Sequence, residues 1–464
     1  MSAISTGGET PTGTMPVPVD RRRWTTRAVA LVVGLVLADS SVVVLALPAI
    51  YREFSIEVAQ VAWVVTSFNL ALAIAEVPAA LLVPRVGAAR LCSAGLVGFA
   101  AASLTCALAP TFTTLIAARA VQGVAGAAAI CAALELLPDL TDGPAAAART
   151  WATAGVVGAA LGPAVGGILT EVLSWQAIFA LQVPLALAPI AFIGFRGRRT
   201  AIIPAGRPHL AANAAFALLS AGLTAALFLI VLLLIEGWRM SPISAAVVIS
   251  VLPAASIATG GFEGRLGNAR TRVTAGAILG AGGLAALGLM PQAGWQWTVL
   301  PQILVGIGLA LAFGGLTDAA LKGRSPAALH GGVTIASRHA GVVLGLVLLT
   351  PVFVADLDRQ RARAEQKGVE LVLEAPIAPR TKIRLASSLA EDLRREPGRM
   401  PDIRRSFDRV DAGGEQQEMN ALAARLENQL DRAATSSFSR SFLFAALLAL
   451  AGLIPVALSR EMGL

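Results

Sequence analysis

Residues 210–235 read LAANAAFALLSAGLTAALFLIVLLLI, a stretch without a single charged side chain. A helix needs about 20 apolar residues to cross the hydrocarbon core of a bilayer. In lipid, every backbone N–H and C=O group must be bonded within the protein, so a lone apolar run of this length forms a helix. The stretch therefore predicts a membrane-spanning helix.

Similar apolar runs recur along the whole chain. Of its 464 residues, 56% are hydrophobic and 14% are charged, whereas a soluble domain carries about 25% charged residues. We expect an all-α membrane protein with twelve transmembrane helices, at 28–50, 61–83, 91–109, 114–137, 149–170, 177–195, 210–235, 243–262, 273–291, 298–320, 331–355 and 438–459.

The chain carries a net charge of +8, but the placement of the arginines argues against nucleic acid as a partner. They lie in short loops between apolar runs and not on one basic face. The cysteines and histidines are not spaced as metal ligands, and no nucleophile–base pair is evident, so we expect neither a metal, a cofactor nor an enzyme. The cysteines are Cys92, Cys106 and Cys131, and the histidines are His209, His330 and His339.

The basic residues of the loops predict the orientation of the chain. With a cytoplasmic N-terminus, the inner segments hold seventeen arginines and lysines, and the short outer loops hold two, Arg52 and Arg239. Because basic loops remain in the cytoplasm, both termini are expected there. Arginines outnumber lysines by 34 to 3, which is typical of a GC-rich bacterial genome and suggests a bacterial inner membrane.

An internal repeat divides the chain into two halves. Residues 85–90 read RVGAAR after the second span, and residues 265–270 read RLGNAR after the eighth, an offset of 180 residues. Parallel six-helix halves of this kind are an architecture of secondary transporters, with the substrate site near the midplane. We expect a cytoplasmic tail (1–27), an N-terminal half (28–195), a cytoplasmic linker (196–209) and a C-terminal half (210–459), with an extracytoplasmic insertion at 356–437.

The repeat resembles the loop motif of the major facilitator superfamily, Gly-x-Leu-Ala-Asp-Arg-x-Gly-x-x-Arg. Further stretches resemble the drug:proton antiporter branch of that family in particular. They are DSSVVVLALP at 39–48, WVVTS at 63–67, RAVQG at 119–123, GPAVGG at 162–167, WQAIFALQVP at 175–184 and RHAG at 338–341 followed by Gly345.

The sequence also departs from the pattern of that branch, which usually has fourteen spans. The acidic position of the loop motif is Pro84 in the first copy and Gly264 in the second, with Glu263 one position earlier. The charge network by which this loop latches the outward-facing state in the family is therefore not expected here.

Two of the charges inside predicted spans are the main candidates for coupling. Asp39 is eleven residues into the first span, near the membrane midplane, where a charge costs about 3 kcal/mol and usually has a function. It could bind a proton or a cationic substrate, or form a fixed structural ion pair. Arg119 could tune the proton affinity of such a carboxylate, as the resemblance implies, or form an ion pair that packs helices.

Other candidates are less central. Glu76 could be a second site for a proton or a cation. Arg338 and His339 could serve an anionic substrate or coupling, or anchor the helix at the interface. Gly158, Gly162, Pro163, Gly166 and Gly167 allow close helix packing, and the resemblance implies a bendable helix at the moving interface. The gating loops would comprise Arg85, Gly87, Arg90, Arg265, Gly267 and Arg270.

The resemblance implies a secondary active exporter, a proton-coupled antiporter of drugs or amphiphilic small molecules that works by alternating access. Its partners would be the substrate, protons and the lipid bilayer. A lipid or natural-product exporter is the alternative within transport, and a transport-inactive scaffold or sensor is the alternative outside it. In the insertion, Leu422, Leu426 and Leu430 form an apolar stripe, which we expect to fold back over the outer mouth of the transport cavity.

Overall fold

The computed structural model describes residues 19–195, 206–260, 262, 265–289, 294–395, 404–410 and 415–459. Within this part of the chain, twelve helices are long and apolar enough to cross a membrane. The helices are α1 (Val19–Val44), α2 (Ala59–Val86), α3 (Ala88–Ala107), α4 (Phe112–Leu140), α5 (Pro144–Val172), α6 (Gln176–Ile193), α7 (Leu210–Gly237), α8 (Pro242–Gly260), α9 (Ala269–Leu289), α10 (Trp295–Leu321), α11 (Ala327–Glu374), α12 (Pro379–Arg395), α13 (Arg404–Asp408) and α14 (Gln416–Leu458).

The twelve-span prediction is confirmed, with α14 as the twelfth span, but several helices extend beyond their apolar runs. Helix α1 begins at Val19, inside the predicted tail, where the Arg22 side chain donates hydrogen bonds to the carbonyls of Leu140 (3.2 Å) and Thr141 (2.8 Å). A short helix, Leu47–Glu53, continues the first span. Hydropathy marks the hydrocarbon boundary and not the end of a helix, which explains the difference.

The two halves have the same internal packing. In the N-terminal half, α1 packs on α5, α2 on α4 and α3 on α6; in the C-terminal half, α7 packs on α11, α8 on α10 and α9 on α14. The loops of the repeat also match, because Gly87 and Gly267 both have φ of +92°, a value that favours glycine. The structure therefore confirms two pseudo-symmetric six-helix halves.

Both halves begin and end at one face of the molecule, which we call the terminal face. The ring of Trp24, near the start of α1, stacks on Phe192, at the end of α6, with ring centroids 5.9 Å apart. The opposite face carries the segment between α11 and the apolar part of α14, and we call it the insertion face. These names do not depend on which side faces the cytoplasm.

The halves contact each other at both faces. At the terminal face, the backbone N–H of Ala328 donates to Glu135 Oε2 at 3.2 Å. At the insertion face, Arg52 forms an ion pair with Glu236 at 2.7 Å, and the N–H of Ile243 donates to Glu171 Oε2 at 2.8 Å. Each contact joins the N-terminal half to the C-terminal half.

The insertion is a helical extension of the membrane domain with its own small core. Helix α11 runs for 48 residues to Glu374 and packs beside the first part of α14. Leu422 and Leu426 are buried in this core, and Leu430 packs against it. The apolar stripe therefore packs mainly within the insertion. Of the breaks noted in the sequence, Pro397, Pro401, Gly413 and Gly414 lie outside the described residues.

A buried carboxylate joins the insertion to the C-terminal half. The Asp356 side chain is 3% exposed, and its Oδ1 lies 3.5 Å from both Arg359 and Arg440. Asp356 and Arg359 are both on α11, whereas Arg440 is on α14, so the pair of Asp356 with Arg440 joins the two helices at the point where they leave the apolar region. The insertion thus has a firm attachment to both spans that carry it.

Candidate functional site

Asp39 and Arg119, predicted separately as coupling residues, form an ion pair in the centre of the N-terminal half. Asp39 Oδ2 on α1 lies 2.6 Å from Arg119 Nη1 on α4, and both side chains are fully buried. Arg119 Nε donates to the carbonyl of Val64 at 2.9 Å, and its guanidinium carbon lies 4.4 Å from the ring centroid of Phe68. A buried charge is tolerated only when it is paired in this way.

Two glutamines close this ion pair into a ring of side chains. Gln182 Nε2 on α6 donates to Asp39 Oδ1 at 2.8 Å, and Gln122 Nε2 on α4 donates to Gln182 Oε1 at 2.7 Å. Arg119 Nη1 donates to Gln122 Oε1 at 2.6 Å. Because an arginine only donates and a carboxylate only accepts, the orientation of both amides is fixed. The ring therefore uses both oxygens of Asp39, one toward Arg119 and the other toward Gln182.

The sequence did not predict the two glutamines, nor Ser103 on α3, which accepts from Gln122 Nε2 at 2.7 Å. A signal was present, because each glutamine lies inside a stretch that resembles the family and is a polar residue within an apolar run. Uncharged polar residues such as these are less conspicuous in an apolar run than the charged side chains to which they bind.

The glycines at 158, 162 and 166 lie where α5 crosses α1, close to Asp39. A Cβ on Gly158 would overlap the carbonyl oxygen of Gly34, one on Gly162 would overlap Ser41 Oγ, and one on Gly166 would overlap the carbonyl oxygen of Val42. We call this contact the glycine seam. Pro163 lies within α5 between these residues. The seam brings the two backbones together on both sides of Asp39 in α1.

The same helix reaches the other half of the molecule through the next glycine. A Cβ on Gly167 would lie 2.6 Å from Cβ of Ala246 and 2.7 Å from the carbonyl oxygen of Pro242, both on α8. Helix α5 therefore packs on α1 through one set of glycines and on the C-terminal half through Gly167. A shift of α1 against α5 would be passed on to this interface.

Glu76 lies apart from the ring, at the contact between the halves. Its side chain on α2 is fully buried, and Cys131 Sγ on α4 donates to Glu76 Oε2 at 2.5 Å. The other oxygen, Oε1, has no hydrogen-bond partner in the part of the chain that the structure describes. A Cβ on Gly332 of α11 would lie 3.4 Å from the carbonyl oxygen of Glu76. The structure thus places a weakly satisfied carboxyl group next to the C-terminal half.

Arg338 and His339 lie in the C-terminal half and do not join the ring. The guanidinium carbon of Arg338 lies 5.5 Å from the ring centroid of Phe313 on α10. His339 is 4% exposed, and its Nδ1 is 2.9 Å from the carbonyl oxygen of Ile335 on the same helix. His339 is therefore bound to its own helix, whereas Arg338 faces a neighbouring one.

The arginines of the two loop motifs hold each loop to its own half. Arg90 Nε donates to the carbonyl of Phe195 at 3.4 Å, and Arg270 Nη2 donates to that of Ala457 at 3.3 Å. Arg85 is exposed, and Arg265 lies over Phe262 at 5.8 Å. Glu263 and Gly264 lie outside the described residues. The described arginine contacts do not themselves cross between the halves.

A cavity of about 710 Å³ lies at the insertion face. Its wall includes Tyr51 and Arg52 at the end of the first span, Glu236 and Arg239 at the end of the seventh, and Leu430 and Asp431 of the insertion. Arg239 and Asp431 form an ion pair at 3.4 Å. The base of the insertion and both halves therefore enclose one space.

Comparison with known proteins gives a family match across most of the membrane domain. The model of the Major Facilitator Superfamily matches residues 29–353. Among solved structures, the bacterial homolog to the human lysosomal transporter Spinster, inward-facing and occupied, has a TM-score of 0.61 and 14% identity, covering 95% of this chain and 97% of that one. Identity this low supports the fold alone.

Several curated relatives are drug exporters. The multidrug efflux pump LfrA of Mycolicibacterium smegmatis is 38% identical over 179 residues, which are 38% of this chain and 35% of the relative. The methylenomycin A resistance protein of Streptomyces coelicolor is 32% identical over 273 residues, covering 56% of this chain and 54% of the relative. The alignments to the first relatives cover 33% to 36% of their length.

Proposed function

The chain belongs to the Major Facilitator Superfamily, and from that premise we propose that it exports drugs or related amphiphilic small molecules in exchange for protons. The transport cycle would be alternating access, in which the two halves rock about a site near the membrane midplane. The relatives that are named drug efflux pumps and resistance proteins support the substrate class. The buried ring around Asp39 and Arg119 supports proton coupling, and it is the observation on which this proposal depends.

In this mechanism a proton competes with Arg119 for Asp39. Protonation removes the negative charge from Asp39, and with it the attraction to Arg119 across 2.6 Å. Arg119 keeps its bonds to Val64 and Gln122, so it remains in place while α1 is released from α4. Loss of the proton re-forms the ion pair. The two protonation states thus favour two positions of α1.

The glycine seam would carry this change to the interface between the halves. Ser41 and Val42 lie within three residues of Asp39 and contact α5 at Gly162 and Gly166. Movement of α1 would displace α5, and Gly167 of α5 contacts α8 in the other half. Pro163 interrupts the hydrogen bonding of α5 and would allow it to bend. The loops at 85–90 and 265–270 would then act as gates at the terminal face.

Glu76 would serve as a second protonation site. Among the described residues, the thiol of Cys131 donates to its side chain, and Gly332 of the other half packs against its backbone carbonyl. An ionised carboxylate at this position would lack a compensating cation, which is costly in a buried site. Opening of the interface between α2 and α11 would admit water and ease the loss of its proton.

Export from energised vesicles tests the proposed function. Everted vesicles that contain the protein should accumulate at least one member of a panel of anionic, neutral and cationic amphiphilic dyes when a pH gradient is imposed, and the accumulation should stop when nigericin collapses the gradient. Transport of fluorescent phospholipids but not of dyes would support a lipid exporter instead. Transport of neither panel would support a scaffold or sensor.

We further propose that the protein resides in the bacterial inner membrane with the terminal face in the cytoplasm. A cysteine replacing Arg384, which is exposed on α12 of the insertion, should react with an impermeant maleimide in intact cells once the outer-membrane barrier is permeabilised. The matched control is a cysteine replacing Arg149, exposed at the terminal face, which should react only after the inner membrane is broken. The reverse pattern would overturn this orientation.

The insertion would control release of the exported molecule, because its base encloses the cavity at the insertion face. Replacing residues 360–433 by a short Gly/Ser linker retains the ion pairs of Asp356 with Arg359 and Arg440, so the spans should still assemble. We expect the export rate or the relative rates for different dyes to change by at least about threefold, because release often limits turnover. An unchanged rate and substrate range would show that the insertion has no such role.

A further inference from the structure

Arg338 lies on the face of α11 that is turned toward the interior of the protein. Residues three, four and seven positions away share its face of the helix, and Ile335, Val342, Gly331 and Gly345 at those positions are all buried. The lipid-facing side of α11 is marked instead by exposed side chains, at Ala340, Leu344 and Val347. Arg338 is nevertheless partly exposed. Open space is therefore present next to it inside the protein.

The neighbours of Arg338 on α11 place this space at the junction of the two halves. Gly331, two turns before Arg338, packs against Leu134 of the N-terminal half. Gly341, one turn after Arg338, packs against the backbone of Ala217 on α7. The guanidinium group thus lies on the wall between the halves, where the substrate site of this architecture is found.

The charge of Arg338 is not balanced by the protein. Within the part of the chain that the structure describes, no carboxylate lies within ion-pair distance of Arg338 and no hydrogen bond satisfies its guanidinium. Two other interior arginines are each paired with a carboxylate, Arg119 with Asp39 and Arg272 with Asp318. An arginine does not lose its proton in proteins, so this interior charge is available to an anion from outside the chain and is stabilised when one binds.

An aromatic surface lies beside this charge. The guanidinium carbon is 5.5 Å from the ring of Phe313, and the Phe313 ring centroid is 4.7 Å from that of Phe216 on α7. Aromatic rings of this kind bind flat apolar groups, while the guanidinium fork binds a carboxylate, sulfonate or phosphate through two parallel hydrogen bonds. The pair of features matches a molecule with an aromatic or apolar body and one anionic group.

We propose that Arg338 binds the anionic group of the transported molecule, with the Phe313 ring against its apolar body and the buried Phe216 supporting that ring, so that the preferred substrates are anionic amphiphiles. This inference rests on the proposed export function and specifies its substrate class. The anion is either that of a free solute or that of a lipid headgroup, since both present the same chemistry to the guanidinium.

Binding of three pyrene derivatives that differ only in their end group tests the proposal. Pyrenebutyric acid, pyrenebutanol and pyrenebutylamine share one aromatic body and are anionic, neutral and cationic. With purified protein in neutral-lipid nanodiscs, the acid should bind at least about 10-fold more tightly than the alcohol, as expected for a charge-assisted pair. Arg338→Gln should remove this preference and leave the affinity for the alcohol unchanged, and Arg338→Lys should retain part of it.

Control variants separate this effect from a general loss of structure. Arg384→Gln makes the same chemical change on the exposed surface of the insertion and should leave the preference intact. Phe313→Leu should weaken binding of the acid and the alcohol alike. Equal binding of acid and alcohol by the wild-type protein, or an undiminished preference in Arg338→Gln, would overturn the proposal.

Two further comparisons identify the source of the anion and separate this inference from the export function. If phosphatidylglycerol in the nanodiscs competes with the acid in the wild-type protein but not in Arg338→Gln, the natural anion is a lipid headgroup; without competition it is a free solute. The binding assay needs no proton gradient. If the protein binds the acid selectively but transports nothing, the export function is refuted and the anion site is supported. If it exports dyes but binds acid and alcohol equally, the export function is supported and the anion site is refuted.

Discussion

Replacing Asp39 by asparagine is expected to abolish proton-driven accumulation of the exported compound while the protein still inserts into the membrane. Asparagine cannot gain or lose a proton. The competition between a proton and Arg119, which lies 2.6 Å from Asp39 in the wild-type protein, is therefore lost. Accumulation under a pH gradient should fall to that of vesicles without the protein. Exchange of labelled for unlabelled substrate without a gradient should continue, because it requires no net proton movement.

A second variant guards against the instability that the first one introduces. Asp39→Asn leaves the buried charge of Arg119 without its partner, which costs about 3–5 kcal/mol. The double variant Asp39→Asn with Arg119→Gln removes both charges and should recover normal amounts of monodisperse protein, still without coupled accumulation. Undiminished gradient-driven export in either variant would remove Asp39 from the mechanism.

Adding one methyl group to the glycine seam is expected to have the next largest effect. In Gly166→Ala the new Cβ meets the carbonyl oxygen of Val42, and backbone cannot move aside as a flexible side chain can. Overpacking of this kind costs about 1–3 kcal/mol, and an equal change in the barrier between the two conformations lowers the export rate by about 5- to 150-fold. The rate per molecule of membrane-inserted protein is the quantity to measure.

The chain offers a matched control for this substitution. Gly282 on α9 is also a glycine within a membrane-spanning helix, but a Cβ built on it meets nothing within 4 Å. Gly282→Ala should therefore export at the wild-type rate. Equal rates for the two variants would mean that close packing of α1 on α5 does not limit transport.

The membrane architecture could be predicted from the sequence because its physical cause is local. An apolar run such as residues 210–235 needs no tertiary contact to indicate a span, and the repeat at 85–90 and 265–270 supplied the two-fold organisation. The ends of helices were less accessible. Polar residues beyond the bilayer continue α11 to Glu374, because the segment packs on α14 and not because of its hydropathy.

The candidate site could be predicted only as separate residues. Asp39 and Arg119 were each conspicuous as charges in apolar runs, yet their contact depends on how α1 and α4 pack, which no local pattern specifies. The ring also needs Gln182 from α6 and Gln122 from α4. Neutral polar residues occur in many spans as simple helix–helix contacts, so their position in the sequence alone does not mark them as part of a network.

The fate of the apolar stripe in the insertion shows a similar limit. The spacing of Leu422, Leu426 and Leu430 predicts an amphipathic helix, and the structure contains one in α14. The spacing does not indicate which surface the stripe covers. That surface is the core formed with α12 and with the part of α11 that follows its apolar run, which are helical although their residues form no apolar run.

Substrate-driven proton movement in proteoliposomes tests most directly the central claim, that export is an exchange for protons. The purified protein would be reconstituted into liposomes that contain a pH indicator in the lumen. A concentration gradient of an exported substrate dye would then be imposed, with equal pH on both sides. We predict proton flux opposite to the flow of the dye, absent from liposomes that contain the Asp39→Asn variant. Flow of the substrate dye through the wild-type protein without any proton movement would contradict the account.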